Sequence, residues 1–289
     1  MLTPTTASTR KGILLMLLAI VLFTAMDALA KGLVQRYPTA QVVWVRFAGQ
    51  LLLVVVILHR NLPPVLRTRN PRLHVIRSAT QLGATGFFFA SLNYIGLAEA
   101  TALTDINPVL ITLGAALFLG EKLGPRRIAG VLAAMTGAMI IIRPGLGVFS
   151  PAALLPLCCA VCYAASALLT RKVGSTETAW TSMFYAALFG TLASGALLPG
   201  VWVPIPLVDV PLFITVGCLG TAAQLALIRS FSIAEASSVA PFGYAGIVLA
   251  TFWGIVLYGE YPDALTILGA GIIVGAGLYV WHRETRKTP

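Results

Sequence analysis

Charge is scarce in this chain. Of its 289 residues only 10% are Asp, Glu, Lys or Arg, against about 25% in soluble domains, so most of its surface cannot face water. Histidine is scarcer still, and His59, His74 and His282 all fall near the ends of apolar segments. Neither His-Glu-x-x-His nor Gly-x-Ser-x-Gly occurs, which leaves an intramembrane enzyme as a remote alternative. No phosphate-binding loop is present either, so the chain carries no nucleotide motor of its own. Among four cysteines, Cys159 and Cys162 form a C-x-x-C inside an apolar segment without His or acidic ligands nearby, a setting for small packing residues rather than a metal. Neither metal nor cofactor is expected.

Long apolar runs, by contrast, fill the chain. Hydrophobic residues make up 58% of it, in stretches over roughly 12–30, 40–58, 78–96, 100–120, 127–142, 151–169, 178–198, 210–228, 237–258 and 264–281. Such runs suit helices across about 30 Å of hydrocarbon, where each backbone must satisfy its own hydrogen bonds. The reading is an all-α membrane protein with ten transmembrane helices, its surroundings the lipid bilayer. The net charge of +10 comes with no basic face or aromatic platform, so nucleic acid is not a partner. Instead, sixteen of twenty Lys and Arg fall in segments on one side, against Lys31, Arg36 and Arg143 on the other and Arg46 within the second span. That bias predicts both termini in the cytoplasm. Arg10-Lys11, the first apolar run and Ala28-Leu29-Ala30 also match a secretory leader, but Asp27 before the triplet fits it poorly.

The two halves of the chain echo each other. LNYIGLAEATALTDINPVLITLGAALFLGEKLG in the first is matched by IRSFSIAEASSVAPFGYAGIVLATFWGIVLYGEYPD in the second: Ala-Glu-Ala at 98–100 and 234–236, an apolar run, then Gly-Glu at 120–121 and 259–260. FTAMDALAK likewise faces YAASALLTR. The units are residues 1–148 and 149–289, five spans each. Because five is odd, the second unit enters the membrane from the opposite side, giving two inverted five-helix repeats of the kind secondary transporters use. The order and repetition of these elements resemble the ten-helix, EamA-like branch of the drug/metabolite transporter superfamily. The resemblance implies a central cavity and ATP-independent movement of small organic metabolites by alternating access. The chain resembles bacterial amino-acid exporters, including those for aromatic amino acids, which are prominent in this branch beside carriers of other metabolites. The resemblance leaves open another metabolite class, nucleotide-related, cofactor or drug-like cation, and implies a multi-pass protein of the bacterial cytoplasmic membrane.

Polar residues inside spans need a local reason, since a central charge costs about 2.5–3.5 kcal/mol on insertion scales. Asp27 and Arg46 are expected either to form an ion pair or to line the outer end of the cavity as a gate that meets a zwitterion. The fourth span opens with Thr101, Thr104, Asp105, Asn107 and Pro108, and the proline frees a carbonyl one turn earlier. Its partner, the ninth, holds Pro241, Gly243, Tyr244 and Gly246, and paired interruptions in an inverted repeat point to the substrate site. Gln81, Tyr163, Ser166 and Gln224 are further candidates, each able to bond either substrate or a neighbouring helix. Glu99 and Glu235 read as favourable charge at helix N-termini, Glu121 and Glu260 as interfacial. Gly130 with Gly137, and the Gly271–Gly275 pair, read as close packing, and the glycine-rich helices also offer a surface for a homodimer.

Overall fold

The computed structural model describes residues 6–59, 62–68, 70–107, 109–111, 113–114, 125–142, 151–173, 177–233 and 240–285. Ten principal helices follow one another: α1 (Thr6–Val34), α2 (Thr39–Leu58), α3 (Pro71–Ser91), α4 (Leu97–Thr104), α5 (Pro125–Ile142), α6 (Leu154–Val173), α7 (Ala179–Gly195), α8 (Val210–Ile233), α9 (Ala245–Tyr258) and α10 (Ala264–Thr285). There is no strand among the described residues. Among the described residues four of these helices (α1, α2, α6 and α8) are long and apolar enough to cross a membrane, and α5, α9 and α10 carry shorter apolar stretches.

The packing repeats. Helix α1 lies against α8 and α9, while α6 lies against α3 and α4. Helix α2 packs on α7 and α8, α7 in turn on α2 and α3, α4 on α9, and α5 on α10. Advancing every label by five returns the same set of neighbours, as two five-helix repeats related by a two-fold axis require. The divide expected at 148/149 falls among residues outside those described.

Small residues set the helix separations, because lipid supplies no hydrophobic drive between helices and close backbone approach must do the work. A Cβ on Gly217 of α8 would meet the Gly49 backbone of α2 at 3.3 Å. One on Gly190 of α7 would fall on the Phe47 ring. Gly137 of α5 and Gly269 of α10 oppose each other in the same way, each within 2.7 Å of the other's carbonyl oxygen once a Cβ is built. Gly271 and Gly275, expected to pack closely, have open space beside them within the chain, a correction that follows from their facing away from α5.

Helix α3 starts at Pro71, seven residues before the apolar window, so Arg72, His74 and Arg77 belong to the helix rather than to the preceding loop. Pro suits a first helical turn, and the buried basic residues find partners across the repeat interface. His74 Nε2 lies 2.5 Å from Glu177 Oε2, and Arg77 donates to the Ser182 carbonyl. Replacing Gly217 by Val should cost about 1–3 kcal/mol through overpacking against α2, whereas Gly271→Val should be near neutral. Thermal melts of the two variants in the same detergent check this, and equal midpoints would contradict the packing.

Candidate functional site at the two helix breaks

Why the fourth span breaks is visible in its backbone. Helix α4 ends at Thr104, and Asp105 and Ile106 form a turn before helical geometry resumes at Asn107. Asp105 closes α4 by donating its N–H to the Thr101 carbonyl at 2.9 Å, with ψ near zero (4°) rather than helical. A proline at 108 removes the donor that the carbonyl of Thr104 would receive and disfavours helix at the residue before it. Pro108 itself lies outside the described residues, as do Glu121 and Glu235. The Thr101 and Thr104 hydroxyls bond back to Leu97 O and Ala100 O, so they serve their own helix.

The ninth span breaks in the matching place. A 3-10 segment, Ala240–Tyr244, passes into α9 at Ala245. Asp105 stands fifteen residues before Gly120, and Tyr244 fifteen before Gly259, so the two breaks occupy one register of the repeat. Asp105 is within electrostatic range of Tyr244, whose hydroxyl lies against the bare backbone of Gly277 of α10.

A chain of electrostatic neighbours links several of the sequence candidates to this point. Asp105 is also within electrostatic range of Tyr163 and Cys159 of α6, and Cys159 in turn of Asp27 on α1. Asp27 attracts Arg46 of α2. The ion pairs among the described residues are nevertheless elsewhere, at Lys31–Glu260, Arg36–Asp209 and His74–Glu177. Arg46 rests instead over the Phe47 ring at 4.9 Å and against the bare backbone of Gly220. Gln224 shares that face of α8 one turn on. Ser166 donates to Gln81 Oε1 at 3.1 Å, joining α6 to α3 and leaving the Gln81 amide NH2 for another partner. Asn107 is half-buried beyond the Asp105 turn. Cys162 packs its sulfur on Gly83 of α3, the small-residue role expected of it.

Several polar atoms here are buried without a hydrogen-bond partner: Nε and Nη1 of Arg46, Oδ2 of Asp105, the Tyr244 hydroxyl and Nε1 of Trp253. Unsatisfied buried groups each cost about 1–3 kcal/mol, more when charged, so each is a candidate for a bond to a ligand or to water; His74 Nδ1, Arg77 Nε and Ser78 Oγ, toward the start of α3, are unpartnered as well. Phe23, Tyr163 and Trp253 pack against the apolar cluster built from Phe47, Phe88, Phe89 and Phe213, which gives the site an aromatic surround. Trp253 carries no signal in the repeat comparison and becomes visible only through its unpartnered indole nitrogen.

The EamA-like transporter family model matches residues 10–143 and again 150–281. The chain belongs to that family. A riboflavin transporter from Rhizobium johnstonii is 31% identical over 96% of this chain and 92% of its own. The pseudopaline exporter CntI of Pseudomonas aeruginosa is 32% identical over 92% and 94%. An S-adenosylmethionine uptake transporter from Rickettsia bellii is 25% identical over 95% and 94%. One chain of known crystal structure aligns with a TM-score of 0.65 at 22% identity, over 96% of this chain and 99% of that one, which bears on the fold alone. The protein is therefore a multi-pass membrane transporter of small molecules and not an enzyme.

Asp105→Asn separates a site residue from a structural one. Losing a charged hydrogen bond to substrate is worth about 1.5–3 kcal/mol, so substrate affinity should weaken roughly ten- to hundredfold. Removing a buried carboxyl whose Oδ2 has no partner should at the same time leave the melting midpoint unchanged or raised. A lowered midpoint with normal affinity would assign Asp105 to the scaffold.

Proposed function

We propose that this EamA-like carrier exports amino acids, aromatic ones included, across the bacterial cytoplasmic membrane by alternating access. The observation that carries the reading is the buried Arg46 guanidinium, with two nitrogens lacking hydrogen-bond partners, at the same level as the half-buried carboxyls of Asp27 and Asp105. Residues 27, 46 and 105 each lie seven or eight residues from the same end of their helices, about 10–12 Å deep at 1.5 Å per residue. A zwitterion supplies a carboxylate for Arg46 and an ammonium for the carboxyls, and the Phe23–Tyr163–Trp253 surround accepts its side chain. Tyr244, Asn107, Gln81 and Gln224 are the further contacts in this proposal, with Pro108 included on its place in the sequence alone.

A second reading follows from the relatives. Riboflavin and S-adenosylmethionine, the substrates named for two of them, each carry a flat heteroaromatic ring that aromatic walls would also admit. Purified protein in liposomes, offered labelled amino acids, riboflavin and S-adenosylmethionine without nucleotide, distinguishes the two. Amino-acid flux driven by a concentration gradient alone is expected. Movement of riboflavin or S-adenosylmethionine, with amino acids neither moved nor competing, would overturn the proposal.

The orientation belongs to the same proposal: both termini cytoplasmic, which makes the end of the bundle holding Lys31 and Glu260 the outer one, with the repeats divided at 148/149. Reporter fusions after Arg67 and Lys287 should then read cytoplasm and one after Val208 outside. A cytoplasmic signal at Val208 would reject it. A homodimer through the outward-facing Gly271 and Gly275 is part of this reading, checked by the mass of the detergent-extracted particle.

A further inference from the structure

We infer that Lys31 and Glu260 form a latch that closes the transport path at one end, and that its rupture is the step that opens the carrier there. The inference rests on the carrier reading but on no particular substrate. Lys31 lies in the last turn of α1 and is 1% exposed, an exceptional burial for a lysine so near a helix end. Its Nζ contacts Glu260 Oε1 at 2.5 Å, donates to the Ile95 carbonyl at 2.9 Å and stands 5.5 Å from the centre of the Tyr258 ring. The other carboxylate oxygen of Glu260 accepts the Leu97 N–H at 3.0 Å, which is the first turn of α4. Tyr258 completes the knot by donating to the Ala28 carbonyl at 2.5 Å.

One cluster thus joins α1 and α4 of the first repeat to the end of α9 in the second. Helices α4 and α9 are the two broken spans, so the segment held by Glu260, Leu97–Thr104, is the short piece on one side of the Asp105–Ile106 break. Any bend at the break moves the Leu97 N–H relative to Glu260. Glycines surround the carboxylate, and a Cβ on Gly96 or Gly254 would stand 3.5–3.6 Å from Oε2.

A permanent junction would be better made of apolar residues, because well-packed hydrophobic replacements of buried ion pairs are often neutral or stabilising. What the ion pair offers is reversibility. Glu260 keeps 32% of its side chain exposed and lines a cavity of about 380 Å³ together with Gly96, Ala98, Glu99 and Tyr261. Water already beside the carboxylate can hydrate both charges once they part, so the open and closed arrangements lie closer in free energy than an apolar seal would allow.

Hydrogen–deuterium exchange on the full chain in nanodiscs, without substrate, tests the latch independently of what is transported. Glu260→Gln should raise exchange in residues 96–104 and 254–261 by about tenfold or more, as expected when a buried ion pair loses one charge. Exchange at the opposite end, residues 70–78, should stay as it was. Lys31→Met should do the same, and the double variant should add nothing to either single one. Glu260→Asp, which keeps the charge, should fall between, and it stands in for the comparison if Lys31→Met fails to fold. Uptake assays with any transported solute should show a changed affinity from one face only. Unchanged exchange at 96–104, a rise spread evenly over the molecule, or additive single effects would overturn the latch.

Discussion

Hydrocarbon offers no hydrogen-bond partner, and this protein is organised by where it respects that limit and where it does not. Along most of its length serine and threonine bond back to carbonyls of their own helix, as Thr24, Thr191, Thr221 and Thr251 do. The limit is breached at the two helix breaks, at Arg46 and at the start of α3, where His74, Arg77 and Ser78 each keep a buried atom without a partner. Backbone turns and charged groups of this kind are tolerable only beside a protein neighbour, a cavity or a solute.

Symmetry explains why the breaks are paired. A carrier must hold two arrangements of comparable free energy, and two repeats with the same neighbours reach that condition because each arrangement is nearly the other with the halves exchanged. Asp105 and Tyr244 share a register yet differ in chemistry, so the two halves repeat in backbone while the groups they carry at the breaks have diverged.

Much of this was legible in the sequence because it rests on local signals. Apolar runs gave ten spans, the Gly-Glu pairs gave the repeat, and Pro108 marked the break in the fourth helix. What escaped depends on long-range partners. The start of α3 hid behind the basic residues Arg72, His74 and Arg77, and the burial of the last two makes sense only once Glu177 and Ser182 arrive from the other repeat. Lys31 looked like a loop charge and Glu260 an interfacial one, since the two stand 229 positions apart and nothing local announces their contact. The matching of the breaks was obscured by looking for proline in both copies, when the common element is a change of backbone geometry that Tyr244 reaches through a 3-10 turn.

Polar ties are unequal along the bundle, and the inequality has a mechanical meaning. At the level of Lys31 the halves are joined three times over: by its pair with Glu260, by Arg36 and Tyr37 on Asp209, and by Gln41, which exchanges two hydrogen bonds with the Val203 backbone. Toward the opposite end Glu177 gathers His74 and the Thr68 hydroxyl, and Tyr185 donates to the Leu66 carbonyl. The Arg36, Gln41 and Glu177 ties involve the α1–α2 turn and helices α2, α3, α7 and α8, which leaves the broken spans α4 and α9 out of them. The Lys31–Glu260 knot reaches both, through the Leu97 N–H of α4 and from a residue just past the end of α9. In the proposed latch, the frame held by the other ties stays in register while the molecule yields at α4 and α9.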